Sequence, residues 1–322
     1  MPLNVFVTGA AGFIGSHVAE ALLARGDRVY GLDNFDPFYD RRIKERNLAK
    51  LSAHPSFSFL EGDIRDASAL ARWGEGIPPD ALIHLAAKAG VRPSLADPAG
   101  YADVNVLGTI RMLEWARDRR VPKVLFASSS SVYGGNTKVP FSEDDFVDHP
   151  VSPYAATKKA GELLCHTYSH LYGMSIAALR FFTVYGPRQR PEMAIHKFTR
   201  GILAGDEIDL YGDGSSRRDY TYIEDIVSGT LGALTAPPGY RVYNLGESST
   251  ISLSELVALI EKVSGMPALR RFQPPQPGDV PVTYADISRA RKEIGYDPRT
   301  PIGRGVSLFV DWYRRQETTR PA

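Results

Sequence analysis

Leu3-Asn-Val-Phe-Val-Thr8 runs straight into Gly9-Ala-Ala-Gly12-Phe-Ile-Gly15, and Val18, Leu22 and Leu23 then recur at helical spacing through Ser16–Arg25. The first stretch is a short apolar run of β-formers and reads as a buried strand. A strand, a glycine loop and a helix in that order fit a dinucleotide site. Gly9 permits a tight turn, Gly12 lets backbone approach a pyrophosphate, and Gly15 allows close helix–strand packing. The N-terminus of the helix then faces the phosphate charge.

The chain repeats this alternation. Arg28–Leu32 reads as a second strand ending in Asp33, whose carboxylate can accept hydrogen bonds from an adenosine ribose and repels a 2′-phosphate, favouring NAD over NADP. Ser56–Leu60 is a third strand, with Asp63-Ile64 in the loop beyond it. Ala81–Leu85 is a fourth, and His84-Leu-Ala-Ala-Lys88 leaves it with small residues where a cofactor can lie close. A long helix is expected over Asp103–Arg119, a fifth strand over Lys123–Ala127 leading into Ser128–Ser131, and a sixth over Ser175–Arg180. Strands alternating with helices imply an α/β fold with a doubly wound parallel sheet, whose ligands sit beyond the carboxyl ends of the strands.

Tyr154 and Lys158 are four residues apart, so on a helix they share a face. A cation near a phenol favours phenolate and lowers the tyrosine pKa, making Tyr154 a candidate proton acceptor. Taken alone, the pair reads more readily as an ordinary helix with a solvated lysine. The glycine loop and the serine cluster are what raise its standing.

With 322 residues and 43% apolar content the chain can bury a large core, and its length suits two lobes. A net charge of +1 without a basic block points away from nucleic acid and acidic membrane surfaces. The single cysteine, Cys165, precludes an intrachain disulfide and suits a reducing compartment. No signal peptide is read at the start, and no run reaches the roughly 20 apolar residues of a spanning helix. A cytoplasmic protein with no membrane partner is expected. His166 and His170 have a helical spacing that can bind metal but no visible third ligand, so no metal is expected.

Beyond Pro187 the pattern changes. Met193–Leu203 reads helical, Asp206–Tyr211 as a short strand, Glu224–Leu234 as a helix and Tyr243–Gly246 as a strand. Leu253–Val263, Ile287–Ile294 and Ile302–Tyr313 read as the remaining helices.

Gly9-x-x-Gly12-x-x-Gly15, His84-Leu-Ala-Ala, Ser129, Tyr133-Gly134, Tyr154, Lys158, Arg180-Phe-Phe-Thr183-Val-Tyr-Gly-Pro187, Arg218-Asp-Tyr-Thr-Tyr-Ile-Glu-Asp225 and Tyr243-Asn-Leu-Gly246 are all present. Together they resemble the extended short-chain dehydrogenase/reductase superfamily over nearly the whole chain. The resemblance is greatest to its UDP-glucuronate 4-epimerases. It implies a Rossmann domain over residues 1–182 plus about 217–248. A smaller mixed α/β lobe for the nucleotide sugar would take about 183–216 plus 249–322.

It further implies NAD as cofactor, held by Gly9, Ala11, Gly12, Phe13, Ile14, Gly15, Asp33, Asn34, Asp63, Ile64, Leu85, Ala86, Ala87, Lys88, Tyr154 and Lys158. Tyr154 matches the catalytic base, Lys158 the residue that lowers its pKa and holds the nicotinamide ribose, and Ser129 the hydroxyl beside the sugar O4. The substrate would be a UDP-sugar contacted by Ser130, Ser131, Thr183, Arg190, Arg218 and Asp279. Arg218 would lie on the diphosphate, where a guanidinium can bridge oxygens. A homodimer through the helices at 103–119 and 154–171 is also implied.

Particular positions separate this chain from relatives. UDP-glucuronate decarboxylases usually place Glu directly after the catalytic Ser or Thr, where this chain has Ser130. Sugar 4,6-dehydratases carry an Asp-Glu pair where Ser130-Ser131 stands, and hydroxyls cannot replace that acid and base. UDP-glucose 4-epimerases usually have Asn at the place of Thr183. Some of them also carry Arg at the place of Gln276. Thr183–Arg190 and Phe35–Asp40 are instead similar to the uronate group. The expected reaction is interconversion of UDP-glucuronate and UDP-galacturonate through a transient 4-keto sugar. UDP-glucose or UDP-N-acetylhexosamine 4-epimerisation is the first alternative, followed by decarboxylation. A non-catalytic nucleotide-binding protein is disfavoured by the intact Ser129, Tyr154, Lys158 and three loop glycines.

Overall fold

The computed structural model describes residues 1–318. β1 (Asn4–Thr8), β2 (Arg28–Asp33), β3 (Phe57–Glu61), β4 (Ala81–His84), β5 (Lys123–Ser129) and β6 (Ile176–Phe181) alternate with helices. β7 (Thr183–Tyr185), β8 (Glu207–Tyr211), β9 (Arg217–Arg218) and β10 (Tyr220–Tyr222) lie outside the main sheet, and β11 (Tyr240–Leu245) returns to its edge. β12 (Ile251–Ser252) and β13 (Leu269–Gln273) are the last strands. The main sheet runs β11-β6-β5-β4-β1-β2-β3, and every neighbouring pair is parallel. This is the doubly wound arrangement expected from the alternation of elements.

The inner strands are apolar on both faces because both faces are covered. Along β1, Val5 and Val7 pack into one core with Val29, Ile83, Leu125 and Leu179. Phe6 points the other way, into a second core with Leu82, Val124, Phe126 and Ile176. A parallel sheet buried on two sides requires this continuous apolar pattern.

One expected helix is interrupted. Asp103–Leu107 forms a π-helical turn, and the α-helix proper runs from Gly108 to Asp118. The turn places Asn105, whose side chain accepts from Lys88 N at 2.8 Å and donates to Lys88 O at 2.9 Å and to Thr157 Oγ1 at 3.0 Å. It ties the loop after β4 to the Pro153–Tyr172 helix. Such wide turns often mark functional sites.

Outside the sheet, β7 pairs with β10, β8 with β13, and β9 with β12. β13 was not anticipated, since Leu269, Arg270, Arg271 and Phe272 are exposed and lack an alternating apolar signal. Asp219, fully buried, joins these pieces by accepting from Glu247 N, Ser248 N, Ala285 N and Thr221 Oγ1. No helix among the described residues is long and apolar enough to cross a membrane.

Candidate active site

β1 and β4 are neighbours whose onward connections leave in opposite directions, so a crevice opens beyond their carboxyl ends. Gly9, at φ +71, turns the chain there, and a Cβ on it would lie 2.9 Å from Ala86 N. A Cβ on Gly15 would fall 2.0 Å from Gly9 O. Gly12 caps the Phe13–Ala24 helix without a side-chain hydrogen bond, leaving the first turn open to an anion.

The loop after β4 is set by His84. Thr8 Oγ1 accepts from Leu85 N and Ala86 N, both at 3.1 Å, so its own proton goes to His84 Nδ1 at 2.8 Å. His84 Nε2 then donates to Thr109 Oγ1 at 3.2 Å, which donates to Asn105 O at 2.6 Å. Burial and the nearby Lys158 charge push this imidazole down to about 3, so it is neutral, as the network requires.

The crevice deepens into a cleft of about 540 Å³. Gly9, Gly12, Phe13, Ile14, Gly15, Asp33, Asn34, Asp63, Ile64, Leu85, Ala86, Ala87 and Lys88 line one part of it. Ala11 lies just beneath, fully buried, with its N–H directed to Asp33 Oδ2 at 3.2 Å. Asp33 also accepts from Phe35 N at 2.9 Å and from Lys44 Nζ at 3.3 Å, in a buried ion pair. Asn34 Nδ2 donates to Asp63 Oδ2 at 2.8 Å, joining the loops after β2 and β3.

Ser129, Ser130, Ser131, Tyr154, Lys158, Thr183 and Arg190 line the remainder of the same cleft. Ser129 ends β5 and Ser131 lies in the 3-10 turn that follows, with Ser129 Oγ donating to Ser131 Oγ at 3.1 Å. Tyr154 and Lys158 lie on the first turns of the Pro153–Tyr172 helix, which Ser152 caps. The electrostatics depart from the expectation that Lys158 lowers the Tyr154 pKa. Burial pushes the phenol up, while its hydrogen bond with Ser129 and the Arg190 charge pull it back. Lys158 Nζ donates instead to Ala127 O at 2.7 Å, and burial brings its pKa down to about 8.

Beneath the serines, Glu162 takes Arg180 through two bonds, at 2.8 and 2.9 Å, and accepts from Ser128 Oγ at 2.7 Å. Arg180 Nη1 also reaches the Tyr133 hydroxyl at 2.9 Å. This buried network holds the end of β5 in place.

Two expected substrate residues do not line the cleft. Arg218 Nη1 donates to Arg217 O at 2.9 Å, and Asp279 pairs with Arg92 Nη2 at 2.9 Å. Arg92 also lies over the Tyr211 ring, 4.4 Å from its centroid. The sequence reading missed Lys44, which lines the cleft and pairs with Asp33, and Asn105, which ties Lys88 to Thr157. Among the described residues no group of three or more His, Cys, Asp or Glu suits a metal ion. His166 packs edge-on against Tyr240 at 5.4 Å, and Cys165 is fully buried with its thiol pushed up by burial.

Comparison with known proteins adds to this geometry. The family described as NAD dependent epimerase/dehydratase matches residues 5–246. UDP-glucuronate 4-epimerase 2 of Arabidopsis thaliana is 47% identical over 97% of this chain and 76% of its own length. The structure of UDP-glucuronic acid 4-epimerase from Bacillus cereus, in complex with UDP-glucuronic acid and NAD, superposes with a TM-score of 0.92. It is 36% identical and covers 98% of this chain and 100% of its own. UDP-glucose 4-epimerase from Thermotoga maritima, with UDP-glucose, superposes with a TM-score of 0.91 at 32% identity, over 98% of this chain and 100% of its own. Likeness of fold therefore does not choose between the acidic and neutral sugars.

Proposed function

Because the chain belongs to the NAD dependent epimerase/dehydratase family, we propose that it interconverts UDP-glucuronate and UDP-galacturonate with NAD kept bound. The observation that carries the choice of an acidic sugar is the lining of the cleft. Ser130, Ser131, Thr183 and Arg190 share one cavity with Ser129, Tyr154 and Lys158. Hydroxyls and a guanidinium can hold a carboxylate, and no carboxylate follows Ser129 to drive decarboxylation or loss of water.

The cradle fits NAD: Gly9 and Gly15 leave no room for a side chain, and an uncapped helix end faces the cleft. Gly9–Gly15 would hold the pyrophosphate, Asp33 with Lys44 behind it the adenosine ribose, and Lys158 the nicotinamide ribose. NAD, when bound, supplies a reversible hydride acceptor for the sugar C4.

Tyr154 takes the proton of the C4 hydroxyl and later returns it, with Ser129 holding O4 on the same proton path. The 4-keto sugar turns about its link to the diphosphate between these two steps and presents its other face. As a β-keto acid it loses carbon dioxide fastest when the C5–carboxylate bond stands perpendicular to the carbonyl plane. Ser130, Ser131 and Thr183 restrain that bond, each hydrogen bond to the charged group contributing ~1.5–3 kcal/mol. Arg190 is assigned to the carboxylate rather than the diphosphate, since it lines the same cavity as Ser130, Ser131 and Thr183.

The test is incubation of the purified protein with UDP-glucuronate and no added NAD, with the products identified. UDP-galacturonate and no pentose product is the expected result. Conversion of UDP-glucose or UDP-N-acetylglucosamine with inert UDP-glucuronate would favour the neutral-sugar reading. Thr183→Val should release UDP-pentose alongside the epimer, and unchanged turnover with no pentose would remove Thr183 from the restraint.

The same reading assigns residues 1–182 with about 217–248 to the cofactor lobe, and about 183–216 with 249–322 to the nucleotide-sugar lobe. The return of β11 to the parallel sheet supports that division. Arg218 and Asp279 would then serve the UDP only after rearranging from their present partners. A homodimer through the helices at 103–119 and 154–171 is supported by exposed Leu107, Leu163 and Leu171, and light scattering of the purified protein tests it. A cytoplasmic location suits the lone thiol of Cys165.

A further inference from the structure

Two residues before Arg190 the backbone takes an uncommon shape. Arg188 sits at φ +66, in the left-handed region that residues with a Cβ rarely adopt. What holds it there is the first cofactor helix. Ser16, His17 and Glu20 fall on one side of Phe13–Ala24, within about one turn. Glu20 Oε2 takes Arg188 Nη2 at 2.6 Å, and Ser16 Oγ lies 3.3 Å from Nη1. His17 Nε2 donates to the Pro187 carbonyl at 2.9 Å. Burial and the Arg188 charge keep that imidazole neutral, with its pKa down at about 4.

The next residue is fixed as well. Gln189 is 1% exposed. Its Nε2 donates to Val184 O at 3.1 Å, its Oε1 accepts from His196 N at 3.2 Å, and its carbonyl lies 2.8 Å from His196 Nδ1. Residues 187–189 therefore form a stem with little freedom, and Arg190 leaves that stem into the cleft beside Glu192, at 3.1 Å. The grip on the stem starts one turn after the glycine loop, on the helix whose N-terminus faces the cofactor cradle.

We propose that the clasp of Ser16 and Glu20 on Arg188 determines specificity: by fixing the left-handed turn, it aims Arg190 at the sugar carboxylate and sets the preference for acidic over neutral UDP-sugars. Arg188 is a positioning residue in this scheme and touches neither sugar nor cofactor. The inference rests on the reading of Arg190 as the cation that meets the carboxylate.

The experiment compares wild type, Arg188→Ala, Arg188→Gly and Arg190→Gln as purified holoenzymes, with NAD content and melting temperature recorded. Dissociation constants for UDP-glucuronate, UDP-glucose and UDP are measured by calorimetry, and KM and kcat with UDP-glucuronate. Arg188→Ala is expected to weaken UDP-glucuronate about tenfold, the scale of one charge-assisted contact, through KM rather than kcat. UDP-glucose and UDP should change less than about twofold. Arg188→Gly should recover part of the loss, since glycine takes a positive φ freely.

If Arg190→Gln abolishes the preference for the acid and Arg188→Ala leaves it intact, the clasp has no such role. Equal weakening of all three ligands by Arg188→Ala would also overturn it, since that marks general structural damage. If Arg190→Gln itself leaves the preference unchanged, the assignment of Arg190 to the carboxylate is what fails. Should Arg188→Ala lose NAD or fold poorly, Glu20→Gln, which keeps an acceptor but removes its charge, is read by the same outcomes.

Discussion

The two walls of the cleft are built from different material. One, proposed to hold the cofactor, is built around backbone: Gly9, Gly12 and Gly15 present main-chain groups, and a Cβ on Gly15 would sit 2.0 Å from Gly9 O. The other, proposed to meet the substrate, is side chains: Ser129, Ser130, Ser131, Thr183 and Arg190. A backbone wall tolerates almost no change of residue, whereas a side-chain wall can be altered one group at a time. That difference suits a family in which one cofactor serves several sugars.

The largest effect should come from the side-chain wall. Tyr154→Phe removes the proposed proton acceptor and should lower turnover of UDP-glucuronate on the order of 100- to 10,000-fold, with its dissociation constant changed little. A steady-state assay beside a calorimetric titration separates the two, and loss of affinity without loss of turnover would contradict the role.

Next comes the support beneath that wall. Glu162→Gln leaves the Arg180 charge buried without its carboxylate and should lower unfolding free energy by ~3–5 kcal/mol. Denaturant titration measures this, and an additional Arg180→Met should recover much of the loss.

The backbone wall is probed by Gly15→Ala, expected to reduce stability by ~1–3 kcal/mol and to strip NAD from the purified protein. Gly12→Ala, whose Cβ would meet Gly9 O at 3.1 Å, should keep the melting temperature closer to wild type while still reducing bound NAD. Equal loss of NAD and of stability in both variants would erase the distinction drawn between these two glycines.

The smallest effect lies behind both walls, where Glu247 follows β11. Burial, with Asp225 and Asp219 nearby, raises its pKa to about 7, and its Oε2 has no hydrogen-bond partner. The folded state holds this proton more tightly than the unfolded chain does. Stability from this group is therefore full below about 4.5, its ordinary value, and is lost as pH rises through about 7. Glu247→Gln should raise stability at pH 8 by ~1 kcal/mol, after allowing for partial solvent screening, and change it little at acid pH. Thermal melts at the two pH values check this, and an equal shift at both would exclude ionisation as the cause.

How far the sequence could be read follows the same division. The glycine loop was legible because backbone approach requires glycine, and the spacing of Gly9, Gly12 and Gly15 shows in one line of text. The alternating elements likewise implied the parallel sheet. Tyr154 and Lys158 could be paired because both lie on one helix. Lys44 was missed because its link to Asp33 depends on how the Arg41–Ser52 helix packs. The π turn at Asp103–Leu107 places Asn105 against both Lys88 and Thr157, contacts that no local periodicity encodes. Arg218 and Asp279 show the same limit from the other side: their charges were visible, but their partners, Arg217 O and Arg92, were not. β13 lacks an apolar face, so only its pairing with β8 reveals it.

The position of β11 has a consequence for biosynthesis. It closes the sheet beside β6, yet residues 182–239 lie between those strands. While the chain is being made, the edge of β6 stays unpaired until that stretch and β11 itself have emerged. At the usual pace of translation this is a wait of ~3–13 s. During that interval Ile176 and Ala178, fully buried in the finished protein, have the Pro153–Tyr172 helix for cover, whereas Leu179 faces the opposite core. The nascent chain is thus most prone to aggregate after Tyr154 has been made and before its seven-stranded sheet is complete.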